Sequence, residues 1–138
     1  KVHGHHYSEV IGINTLFNEV AQELAAHMKK EELLLFPFIK QLVKAEKEGV
    51  KAPTPHFGTV NNPIKMMEDE HENAGDVLKT IAKLSDNYTP PKEACNTFRA
   101  LYAKLEEFEQ DLHQHIHLEN NILFPKAIQL EQKNKSKK

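Results

Sequence analysis

Two stretches of this chain carry the same eleven-residue pattern, and that repeat limits the fold more than any other feature. His27 to Pro37 and His115 to Pro125 both read H-x-x-x-E-x-x-x-L-F-P. A His and a Glu four residues apart aim at one point only on a helix, where they sit one turn apart on the same face. The apolar spacing agrees. Val20 and Leu24 lead by steps of three and four to His27 and Glu31, and Leu101, Leu105, Phe108 and Leu112 lead the same way to His115 and Glu119. Both pairs are therefore expected on buried seams, where an uncompensated charge costs several kcal/mol. A single His–Glu pair is more often a solvated surface contact. Two pairs on two core-facing helices call for one partner that satisfies both, and a metal centre is such a partner.

The remaining pattern is all-α. Helical spacing is expected from about Ser8 to Glu48, with Gly49 as the stop and Pro37 as a kink or a break. A loop follows from Gly49 to Asn62. The second helix is expected to open with Asn62 as cap and Pro63 at the first helical position. Its seam runs Ile64, Met67, His71, Ala74 and Leu78, so His71 offers a further ligand. A turn at Ser85–Pro90 precedes a third helix, expected from near Pro91 to about Leu130. The tail Lys133–Lys138 is expected to fray. No convincing strand pattern appears.

Composition removes several function classes. With 18 basic and 20 acidic residues the formal charge is −2, which argues against a nucleic-acid partner held by a basic surface. The single cysteine, Cys95, excludes an internal disulfide framework and a cysteine-only metal site, and points to a reducing, cytoplasmic setting. No apolar run approaches the ~18–20 residues needed to span a membrane. Nine histidines are the unusual feature of the composition. The chain opens Lys1-Val2-His3-Gly4-His5-His6 without an initiator Met, which reads as a fragment or a processed chain.

Imidazoles with carboxylates and no thiolate favour iron over manganese or zinc. If Glu31 and Glu119 each bridge two ions, and an oxide or hydroxide bridges them too, then His27, His71 and His115 leave about three of roughly twelve octahedral positions unfilled. The ligand set is then incomplete or the centre keeps open positions. The ferritin-like arrangement fits less well, because Glu68-x-x-His71 is its one E-x-x-H motif among the ligand-bearing helices.

These motifs resemble the haemerythrin-like domain, in which two H-x-x-x-E helices hold a non-haem di-iron centre in an up-down four-helix bundle. The resemblance is closer to the di-iron iron–sulfur cluster repair family. It is carried by Lys1-Val2-His3-Gly4, His27–Pro37, Met66-Met67 through Glu70-His71 to Gly75, Tyr88-Thr89-Pro90-Pro91 with Glu93-Ala94-Cys95-Asn96-Thr97, and His115–Pro125. It covers essentially residues 1–138 as one domain. It implies His27, His71 and His115 as terminal ligands, Glu31 and Glu119 as bridges, and His3 as a further ligand of one iron. The family's Cys-Cys N-terminal domain and first bundle helix have no counterpart here. The chain thus resembles the last three helices of the bundle, with an upstream segment or a second copy in a homo-oligomer completing the wall.

The function implied is repair of iron–sulfur clusters damaged by nitrosative or oxidative stress, through iron donation or nitric oxide chemistry. Clients would be damaged or apo iron–sulfur proteins, and the small ligand NO or O₂. The alternatives are a module that binds or senses O₂ or NO without turnover, and a helical interaction module whose histidines merely pack. His113, His117 and His56 are expected at the surface. Glu32 and Glu70 are either ligand-orienting or solvated. Cys95 is expected to pack as a small core residue, and Tyr102 to serve packing.

Overall fold

The computed structural model describes residues 7–136, so His3 lies outside the described residues. Among those residues the regular structure is entirely helical. In chain order the elements are α1 (Tyr7–Lys30), a π-turn (Glu31–Leu35), α2 (Phe36–Glu48), α3 (Asn61–Leu84), α4 (Asn96–Leu118), a second π-turn (Glu119–Leu123) and α5 (Phe124–Lys135). Three long helical runs are thus present, as the spacing predicts, in keeping with a haemerythrin-like all-α domain.

Neither proline breaks its helix. Pro37 and Pro125 stand second in α2 and α5, directly after the π-turns. Proline has no N–H to offer the carbonyl four residues back, and its ring crowds that carbonyl. The wider turn makes the room. Phe36 N–H bonds Glu31 O and Phe124 N–H bonds Glu119 O, each five residues back. Each π-turn begins at the glutamate of the repeated motif.

The described residues form two compact units, one from 7–24 with 72–115, the other from 25–71 with 116–136. The first unit buries Ile13, Val20, Leu78, Ile81, Phe98, Tyr102 and Leu105. Phe17 meets Phe108 edge-on at 5.2 Å between ring centroids. Tyr102 is fully buried and donates to the Glu9 carboxylate. An open groove of about 690 Å³ in this unit is lined by Ile11, Ile13, Phe17, Leu101, Leu105 and Phe108.

The second unit has its core in Leu35, Phe38, Leu42, Val60, Ile64, Met67, Phe124 and Ala127. Its long 49–60 connection is clamped from α5. Asn134 accepts from Ala52 N–H at 2.8 Å and donates to Val50 O at 3.0 Å. Glu131 accepts from Val60 N–H at 2.8 Å and from the Thr59 hydroxyl. Several expectations are corrected here. The last helix runs past Leu130 to Lys135 because Glu131 and Asn134 are buried and bonded, and residues 133–135 are helical rather than frayed. The start of α3 is served by Glu131 rather than by Asn62, whose side chain instead bonds Phe57 O. The third long run begins at Asn96, not near Pro91. Gly49 does end α2, in the left-handed conformation (φ 68°) that a residue without Cβ adopts readily.

Candidate metal centre

The second unit gathers four of the predicted ligands. His27 and Glu31 come from the end of α1 and the first π-turn, His71 from α3, and Glu119 from the second π-turn. Their exposures are 1, 2, 4 and 4% in that order, which places four ionisable side chains inside the protein. The seam of α3 is buried as read, with His71 between Met67 and Ala74.

The geometry is convergent. His27 Nε2 and His71 Nε2 are 3.2 Å apart. Glu119 Oε1 lies 2.8 Å from His71 Nε2 and 3.5 Å from His27 Nε2, and Glu31 Oε1 lies 3.4 Å from His27 Nε2. One ligand atom each from His27, His71 and Glu119 falls within 4.8 Å of the others. Both imidazoles are held from behind. His27 Nδ1 is 2.8 Å from Glu70 Oε1, and Lys30 Nζ bonds the other Glu70 oxygen. His71 Nδ1 is 2.9 Å from Asn120 Oδ1, and its ring stacks on Phe124 at 5.9 Å with 9° between planes. Two imidazoles with their Nε2 atoms facing a shared carboxylate, and no thiolate nearby, form a donor set that suits a borderline transition metal such as iron.

The electrostatics match this arrangement. Burial pulls the His27 pKa down, but hydrogen bonds and charge from Glu31 and Glu70 outweigh it, and the net shift is upward from 6.5. Burial pushes the Glu70 carboxyl up, while Lys30 and His27 outweigh that and hold it below its ordinary value. Glu70 therefore orients the His27 ring, and Glu32 is solvated. Helical spacing alone does not single out Asn120 or Lys30. Their only signal was adjacency to Glu119 and a helical step of three from His27.

His115 is a correction to the seam. It sits one turn before Glu119 on the same run but is exposed. The buried edge of α4 is Phe98, Tyr102, Leu105 and Leu112, which continues to Glu119. Leu101, Phe108 and His115 follow each other by sevens along the flank of that edge. Leu101 is exposed and Phe108 half-buried, so that flank is less covered than the edge beside it. Cys95 is likewise exposed rather than packed in the core, because it precedes the first turn of α4. His113, His117 and His56 are at the surface as expected.

Helical runs with prolines taken up in π-turns, and a buried His–Glu cluster beside those turns, define a cation-binding helical domain. The chain belongs to the haemerythrin family: the Hemerythrin HHE cation binding domain model matches residues 3–127. It is 44% identical over 117 residues to the iron-sulfur cluster repair protein YtfE of Musicola paradisiaca, covering 85% of this chain and 47% of that protein. Proteins of the same name from Yersinia pseudotuberculosis and Citrobacter koseri are each 41% identical over 128 residues, covering 93% of this chain and 52% of theirs. The chain thus spans about half the length of the curated relatives it matches. No helix among the described residues is long and apolar enough to cross a membrane.

Proposed function

We propose that this chain is a di-iron module acting in the repair of iron–sulfur clusters, the task its relatives are named for. One observation carries the reading. The Nε2 atoms of His27 and His71 meet at 3.2 Å over the Glu119 carboxylate, and each Nδ1 is bonded away from that point. His27 and His71 would hold iron through Nε2, with Glu119 and Glu31 as the shared carboxylates. His115, one helical turn before Glu119, would complete the set on the second ion, together with His3. Phe124, buried with Leu35 and Met67 in the core of the same unit, covers one face of the His71 ring. Lys30 compensates the Glu70 charge and so keeps its carboxylate an acceptor for His27 Nδ1–H.

When bound, a reduced di-iron centre supplies electrons and an open coordination position for a diatomic ligand such as NO or O₂. Where the module donates metal, iron is its cargo and apo iron–sulfur proteins are its clients. The test is anaerobic Fe(II) titration of the purified chain with metal analysis. About two ions per chain are expected, falling sharply in Glu119→Ala and Glu31→Ala. No uptake by the unaltered chain would refute the reading. Transfer of iron to an apo-cluster protein then separates donation from NO turnover, which gas analysis follows.

A further inference from the structure

The two buried imidazoles are held by different chemistry. His27 donates to a carboxylate whose charge is balanced by Lys30. His71 donates to a neutral amide, Asn120 Oδ1, at 2.9 Å. The grip on His71 is unusual for its source. Glu119 and Asn120 are chain neighbours, yet they reach opposite nitrogens of one ring, Glu119 Oε1 at 2.8 Å from Nε2 and Asn120 Oδ1 at 2.9 Å from Nδ1. Neighbouring residues on an α-helix diverge by about 100° around the axis. Here both open the π-turn Glu119–Leu123, and the ring they hold is clamped on its face by Phe124, just past the end of the same turn.

A neutral imidazole carries one N–H. An acceptor facing Nδ1 keeps that proton on Nδ1 and leaves the Nε2 lone pair for a metal, and such outer partners also set how strongly the ring donates. We propose that Asn120 is a positioning residue. It holds His71 in the tautomer and orientation that present Nε2 beside Glu119, and as a neutral partner it makes His71 the weaker donor of the two buried imidazoles. This rests on the metal-centre reading above and adds to it a residue outside the ligand set.

The test compares the unaltered chain, Asn120→Leu and Asn120→Asp, each loaded anaerobically with Fe(II). The leucine has nearly the shape of asparagine but accepts nothing; the aspartate restores an acceptor and adds charge. Two quantities are read. One is the rate of iron loss to a chelator. The other is the set of solvent-exchangeable, paramagnetically shifted imidazole N–H resonances in the proton NMR spectrum. Asn120→Leu is expected to lose iron about 10- to 100-fold faster. It should also lose one slowly exchanging N–H resonance to solvent while that of His27 persists. Asn120→Asp is expected to keep that resonance and to hold iron at least as long as the unaltered chain. Unchanged iron loss and an unchanged spectrum in Asn120→Leu would overturn the proposal and leave the metal centre standing, as would equal losses in the leucine and aspartate variants. Failure of the unaltered chain to take iron would overturn both.

Discussion

Iron should stabilise this fold strongly, and the stabilisation should depend on Glu119. Four ionisable side chains lie at 4% exposure or less around one point, so the folded state presents a preformed site that the unfolded chain lacks. A ligand that binds only the folded state stabilises by RT ln(1 + [L]/Kd), about 2.7 kcal/mol at a hundredfold excess of free ligand over Kd. For a chain of 138 residues, each kcal/mol moves the melting temperature by roughly 3–5 °C. One ion then raises it by about 8–14 °C, and two ions by about twice that. The perturbation is Glu119→Gln, which keeps the shape but removes the carboxylate that lies within 3.5 Å of both His27 Nε2 and His71 Nε2. Anaerobic scanning calorimetry of the loaded and metal-free forms measures the difference. The iron-dependent rise should shrink to less than half in Glu119→Gln and stay whole in Glu32→Gln, whose side chain is exposed. An equal rise in the Glu119→Gln variant would refute the argument that these carboxylates and imidazoles form one metal site.

Two further outcomes are expected. In the metal-free protein the raised His27 pKa contributes stability that is fully present below 6.5 and fades as pH climbs through the folded value. Iron requires the neutral ring, so iron affinity should instead rise over that range; denaturant titrations with and without Fe(II) between mildly acidic and mildly alkaline pH check both slopes. Glu131→Ala removes the acceptor for Val60 N–H and Thr59, and should cost about 1–3 kcal/mol, measured by urea unfolding, with the iron stoichiometry of the folded protein unchanged.

What the linear pattern determined was whatever depends on spacing within one helix. The all-α class, the three helical runs, the buried seam of α3 and the nomination of His27, Glu31, His71 and Glu119 all follow from periods of three and four, because a helix repeats its faces at that interval. Tertiary structure decided what depends on residues far apart in the chain. His27 meets Glu70 across 43 positions and Glu119 across 92, and His71 meets Asn120 across 49. No local period encodes which imidazole nitrogen those contacts claim. The same holds for the clamp of Glu131 and Asn134 on the long connection, which turns an expected loose end into a helical turn bonded to that connection. His115 shows the boundary most clearly. Its spacing from Glu119 is a property of the helix alone, whereas its exposure depends on what packs against the flank of α4, and a helix periodicity cannot say which side of a seam finds a neighbour.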